Sequence, residues 1–222
     1  MTEHPRLDEL IATLERLRAP GGCAWDGEQT HASLVRYLVE ETFELVEAIE
    51  NGTREDLLEE LGDVLYQVVF HADIAAHTPG EDFGIEDVAA HMTAKMVGRH
   101  PHVFGTVDAE TADDVVALWD EVKKAEKPER RSVLDGIPLA MPALALADKV
   151  AGRAEKVGAE PIGTEVPDTE DELGAMLMGI VVGARSKGLD PERAMRAAVR
   201  SMTGDIRSRE SAAASVGDTE VG

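Results

Sequence analysis

Two stretches decide how this chain is read: residues 39–50, VEETFELVEAIE, and residues 59–70, EELGDVLYQVVF. In the first, Glu41 and Glu44 stand three apart, with Glu40 beside them; in the second, Glu60 and Asp63 have the same spacing. Residues i and i+3 share one side of a helix within about a turn. Apolar residues recur around both pairs at helical intervals, so both stretches read as amphipathic helices and the region as an all-α bundle. The second pair interrupts a strongly apolar helix, where a carboxylate is costly unless something compensates it. Two such helices packed together would gather four carboxylates around one point. An all-oxygen donor set of that kind suits a hard cation, Mg²⁺ or, as a substitute, Mn²⁺.

The competing explanation is plain helix surface, since the chain carries 44 Asp and Glu. A solvated helix face usually mixes both signs of charge. The polar strip Glu60, Asp63, Gln67 contains no Lys or Arg and is hemmed in by Val64, Leu65, Val68 and Val69.

Outward from these helices the helical pattern continues. Leu7, Leu10, Ile11, Leu14 and Leu17 predict a first helix, stopped by Ala19-Pro20-Gly21-Gly22. A loop, CAWDGEQ, leads to Thr30 as N-cap of the helix with the first acidic pair, whose apolar stripe is Leu34, Leu38, Leu45 and Ile49. Asn51-Gly52 reads as its C-cap. The second acidic helix is expected from Thr53 to His77, a further one from Ile85 to Arg99, then an irregular HPHVFG, then a helix from Thr111 to Lys127. No alternating strand pattern is found. Helical pattern returns over 145–157 and 172–210, around a loop at 159–171. The expected organisation is a catalytic unit at 1–128, a second helical unit at 129–210 and a disordered tail at 211–222. The second unit carries a weak repeat of the first: ELGAML at 172–177 resembles ELGDVL at 60–65, with Ala175 in the place of Asp63.

Composition bounds the partners. The net charge of −22 repels polyanions, so no nucleic-acid partner is expected, while a small anionic substrate stays compatible if metal ions invert the local potential. Cys23 is the sole cysteine, so an intrachain disulfide is impossible, which fits a reducing cytoplasm. No signal peptide and no membrane span are expected, because VLYQVVF is far too short to cross a bilayer.

Groups suited to a nucleotide lie downstream. Lys95 and Arg99 are spaced i, i+4 on one helix, and Trp119 and Lys123 are spaced likewise on the next. Arg and Lys can hold phosphates and Trp can stack on a base; a salt-bridged face and a core tryptophan are the alternative. There is no phosphate-binding glycine loop.

The acidic set Glu40-Glu41-x-x-Glu44 … Glu60-x-x-Asp63 resembles the motif of the MazG nucleoside triphosphate pyrophosphohydrolases. CAWDGEQTH at 23–31, KMVGRHPHVFG at 95–105 and LWDEVKKAEK at 118–127 follow in the same order, so the resemblance covers about residues 5–127. The stretch SVLDGIPLAMPALALADKVAGRAEKVG, 132–158, resembles the join to a second MazG-like unit in longer members. The resemblance implies an all-α homodimer that cleaves nucleoside triphosphates between the α- and β-phosphates, giving the monophosphate and pyrophosphate. It implies Glu41, Glu44, Glu60 and Asp63 as ligands of Mg²⁺, and Lys95, Arg99, Trp119 and Lys123 as nucleotide contacts. Tyr37, one turn before Glu41, would line the same site. Trp25 and Asp26 match a recurring loop element without an assigned role; Glu40 is a candidate to support the ligands or orient water. The second unit departs from the pattern, with Ala175, Ser201 and Asp205 where the first unit has Asp63, Lys95 and Arg99. Two other readings stand beside this one: a narrower all-α enzyme, dUTPase-like or phosphoribosyl-ATP pyrophosphatase-like, and a non-catalytic helical interaction module.

Overall fold

Thr30 and Thr53 each open a long helix in the same way. The Oγ1 of Thr30 accepts from the Ser33 amide while the Ser33 hydroxyl accepts from the Thr30 amide. Thr53 and Asp56 repeat the reciprocal pair at the next helix. Two otherwise orphaned N–H groups are satisfied at each start. The structure, a computed structural model, describes residues 4–109, 111, 114–116, 118, 119, 122, 126, 128–159 and 163–217. Its helices are α1 Pro5–Arg18, α2 Ala24–Glu28, α3 His31–Asn51, α4 Arg54–Ala76, α5 Ile85–Arg99, α6 Pro101–Phe104, α7 Ala143–Ala154, α8 Glu170–Ser186 and α9 Pro191–Gly217. A short 3₁₀ turn, Glu155–Val157, follows α7. No strand occurs among the described residues, so the fold class is all-α as expected. The chain divides into two compact units, Met1–Lys123 and Lys124–Gly222.

In the first unit α3 and α4 form an antiparallel hairpin, the most extensive helix pair of the unit, with α1 and α5 packed on α4. Leu14, Leu34, Val69, Phe70 and Ile74 make its core, bordered by Leu10, Ile11, Tyr37, Tyr66 and Ile85. The hairpin turns at Gly52, the C-cap of α3 as expected; its φ of −82° is ordinary backbone and not the left-handed kind. Glycine is needed there for room instead, since a Cβ would stand 2.6 Å from the Ala48 carbonyl oxygen. Ile49, read as part of the inward stripe of α3, is 64% exposed. The residue beside it, Ala48, is the buried one.

Two loops close the unit around α4. Arg18 donates through Nε to Asp73 and through Nη1 to the Asp26 carbonyl, and its guanidinium lies 5.0 Å from the centre of the Phe70 ring. The buried Asp26 carboxylate also meets the Tyr66 hydroxyl, which burial above all, and then this carboxylate, holds above the ordinary tyrosine range. The CAWDGEQ loop therefore contains a helical turn, α2, pinned at its middle residue. His31, first residue of α3, meets His71 of α4 at 2.6 Å between Nδ1 atoms and Glu81 of the following loop at 2.9 Å through Nε2. The two rings are parallel and their centres 4.9 Å apart. That separation is the nitrogen–nitrogen distance plus two ring radii, so the rings lie edge to edge, sharing one proton along an N–H···N line.

The second unit is built on α7 against α9, with α8 packed on α9. Leu134, Leu146, Val150, Ala154, Val199 and Ile206 form its core. Asp135 ties its loop by accepting from the Arg131 and Ser132 amides and pairing with Arg207. These amide bonds, before the nearby arginines, hold its carboxyl below the usual range. The single helical run expected over 172–210 is two helices: Gly188, at φ +67°, and Pro191 at the start of α9 break it. Helix α9 extends to Gly217, into the stretch expected to be a tail; residues 218–222 lie outside the described ones. HPHVFG, expected to be irregular, holds the one-turn α6. The helix expected over 111–127 is helical at its described residues 114–116, 118, 119, 122 and 126.

Candidate active site

The α3–α4 hairpin brings the two acidic pairs face to face. One carboxylate oxygen each from Glu41, Glu60 and Asp63 lies within 4.8 Å of the others. Glu44 lies outside this trio but close enough to Glu41 and Glu60 to push both of them up. No Lys or Arg pairs with any of the four among the described residues. The electrostatics follow from that crowding. Glu41 is held above the usual carboxylate range by burial first, then by Asp63 and Glu44. Glu60 is raised too, by burial and then by Glu44 and Asp63. Its Oε2 is sealed from solvent and has no hydrogen-bond partner.

These residues fit a divalent cation. Converging carboxylate oxygens that repel one another, one buried and unsatisfied, are the donor set a hard cation neutralises. An ordinary acidic helix surface would be solvated and would leave the acids near their usual pKa values. Glu40 is exposed and outside the converging group.

The other expected site residues do not belong to the converging group. Lys95 and Arg99 are half-buried, one turn apart on α5, the helix packed against α4. Trp119 is half-buried, and its ring meets that of His100, the residue after Arg99, 5.3 Å away and edge to face. Lys123 lies outside the described residues. Tyr37 borders the core of the unit and meets the exposed Trp25 edge to face at 5.7 Å. Arg36 lies over the Tyr37 ring and donates to its hydroxyl.

Residues 29–104, which carry all four acids with Lys95 and Arg99, match the MazG nucleotide pyrophosphohydrolase domain. The chain is also 37% identical over 222 aligned residues to a nucleoside triphosphate pyrophosphohydrolase/pyrophosphatase MazG of Thermotoga maritima, covering 91% of this chain and 85% of that protein. The chain belongs to the MazG family. An uncharacterised protein of Streptomyces cacaoi is 48% identical over 205 residues, covering 92% of this chain and 83% of its own length. A nucleoside triphosphate pyrophosphohydrolase of Mycolicibacterium smegmatis is 39% identical over 211 residues, covering 94% of this chain and 60% of that protein. The similarity to these MazG proteins therefore runs through both units and is not confined to the hairpin with the acids.

Sequence reasoning missed four features of this MazG chain. Arg18 and Asp73 are 55 residues apart, and His31 and His71 are 40 apart; no local pattern couples either pair. Asp26 had a motif but no role, and its place as the pin of α2 needed the folded partners. His100 caps the end of α5 through its Nδ1 bond to the Met96 carbonyl, and its contact with Trp119 was not foreseen.

Proposed function

We propose that this enzyme hydrolyses nucleoside triphosphates, ribo- or deoxyribo-, to the monophosphate and pyrophosphate, with Mg²⁺ held by Glu41, Glu44, Glu60 and Asp63. The observation that carries this reading is the convergence of Glu41, Glu60 and Asp63, with no basic partner among the described residues. Bound there, Mg²⁺ would neutralise the triphosphate and act as a Lewis acid at the scissile phosphorus. The chain's own residues divide the remaining tasks. The four acids fix the cation on two capped helices, a rigid platform. Lys95 and Arg99 supply positive charge for the pyrophosphate leaving group. Trp119 offers a π-face to the base, Lys123 a further phosphate contact, and Tyr37 lines the edge toward Trp25. The names of the relatives from T. maritima and M. smegmatis support the same reaction class.

The enzyme works as a homodimer in this reading. Helix α3 exposes Val35, Val39, Phe43 and Val46, and α4 exposes Leu58, Leu61, Leu65 and Val68. Each set repeats at helical spacing, and an apolar stripe of this kind marks an interaction surface. The second unit is catalytically silent in this reading: Ala175 stands where an acid is needed, and Ser201→Ala and Asp205→Ala are expected to leave turnover unchanged. Cytoplasmic residence fits the single cysteine, and no helix among the described residues is long and apolar enough to cross a membrane.

The deciding experiment is chromatography of ATP, dCTP and dUTP digests with and without Mg²⁺. Monophosphate and pyrophosphate, formed only with the metal, are expected. Diphosphate and orthophosphate as first products would overturn the reading. Comparable rates across the panel separate a broad enzyme from a narrow one.

A further inference from the structure

We infer that His100 is a positioning residue for the nucleotide: it fixes the orientation of the Trp119 indole and through it the affinity for substrate. The inference rests on the reading of Trp119 as a nucleotide contact.

His100 ends α5, and its Nδ1 lies 2.6 Å from the Met96 carbonyl oxygen. A carbonyl only accepts, so Nδ1 carries the proton, and this bond sets both the tautomer and the ring plane. The backbone holds the residue from the other side. The His100 carbonyl accepts from the amides of Val103 and Phe104, so the corner between α5 and α6 turns on this residue. With main chain and ring both fixed, the ring edge has one orientation. It meets Trp119 at 5.3 Å between centres and 78° between planes, the geometry aromatic pairs prefer. The His102 ring lies 5.5 Å from the His100 ring, tilted by 46°.

A histidine that merely capped α5 would need only the bond to Met96. The contact with Trp119 reaches a different segment, 19 positions further along the chain. It joins the end of the helix that carries Lys95 and Arg99 to the indole expected on the base. Phosphate groups and base are parts of one ligand, so their binding groups need a fixed relative placement. A first-layer group is only as well placed as the residues that lock its rotamer. His100 supplies such a lock without touching the substrate.

The test separates the two halves of the histidine. His100→Asn keeps a side-chain donor for the Met96 carbonyl and removes the ring edge. His100→Phe keeps a ring against Trp119 and removes the donor. With ATP and Mg²⁺, His100→Asn is expected to raise KM at least about fivefold with kcat within about twofold, a loss of uniform binding. His100→Phe is expected to stay within about twofold of the unaltered enzyme in both constants. Mn²⁺ affinity of the acidic cluster, measured by electron paramagnetic resonance, stays unchanged in both. The chain has two tryptophans, so in a Trp25→Phe background Trp119 is the sole indole. There its near-UV circular dichroism is expected to diminish in His100→Asn and to persist in His100→Phe. Trp119→Ala is the control. A normal KM in His100→Asn beside a raised KM in Trp119→Ala overturns the proposal alone. A normal KM in Trp119→Ala overturns the nucleotide role of the indole, and the proposal with it. Equal losses of kcat and Mn²⁺ affinity in both His100 variants would reduce the residue to a structural cap and overturn it as well.

Discussion

Glu60 concentrates the chemistry of the site in one side chain. It is raised in pKa, one oxygen is sealed without a partner, and neighbouring carboxylates crowd it. Glu60→Gln should therefore do opposite things to folding and to function. Without metal at pH 7 it relieves repulsion and raises the melting temperature, whereas turnover falls by at least about a hundredfold, the scale for losing a charge-stabilising group. Melting curves and initial rates check both; retained turnover would detach Glu60 from the site. Arg99→Ala is expected to cost turnover on a similar scale while Mn²⁺ affinity is kept, which the same assays resolve. His71 offers a pH test at the same scale. Burial first, and His31 second, hold it below the ordinary histidine value of 6.5. The unfolded chain then binds more protons than the folded one in the interval below that value, so the stabilisation is complete above about pH 6.5 and is lost as pH falls toward the folded pKa. The stability difference between the unaltered protein and His71→Gln should shrink from pH 7.5 to about 5.5, measured by urea unfolding. A constant difference would remove His71 as its source.

At the scale of the element, the α3–α4 hairpin is the part on which the site depends. Its two helices start at reciprocal caps and meet at a turn that leaves no room for a Cβ at Gly52. Gly52→Ala is expected to destabilise by about 1–3 kcal/mol, the usual cost of forcing extra volume into close packing. Because the turn sets how α3 lies on α4, the same variant should weaken Mn²⁺ binding before it unfolds the protein. Titration at a temperature well below the transition checks this; unaltered affinity would show that the helices keep their register without the tight turn. Thr53→Ala, which removes only a cap, should cost about 0.5–2 kcal/mol and leave metal affinity alone.

For the whole molecule, the first unit leaves its best apolar stripes in water. Phe43 on α3 and Leu58 on α4 are 56% and 63% exposed. A protein this acidic stays soluble, but large aromatic and aliphatic side chains repeated along two adjacent helices call for a cover. Phe43→Glu and Leu58→Glu are expected to convert a dimer to a monomer in sedimentation equilibrium, without loss of helix content by far-UV circular dichroism. A monomeric unaltered protein at micromolar concentration would remove the dimer from the reading. The second unit has its own core around Val150 and Ile206, and the described part of α8 buries none of its residues. Its apolar sequence was legible, and its lack of cover was not.

The sequence by itself determined the all-α class, the existence of α3, α4 and α5, the cap of α3 at Thr30 and the start of α4 near Thr53, because those depend on short-range periodicity and on side chains close in the chain. It also determined the acidic pairs, since spacing on one helix is a local property. Tertiary structure decided what those pairs become. Only the packing of α3 on α4 brings Glu41 to Glu60 and Asp63, and only the sealing of one Glu60 oxygen turns an acidic surface into an uncompensated cluster. The same holds for Asp26, whose carboxylate found its partner in Tyr66, and for His31 and His71, joined across 40 residues. It holds for Gly52, which the sequence marks as a C-cap and which the close approach to Ala48 requires for space. Local patterns fix torsions and faces, because those are settled within a turn or two of chain. Burial, pKa and contact between distant residues depend on where whole helices come to rest, and no window of sequence contains that.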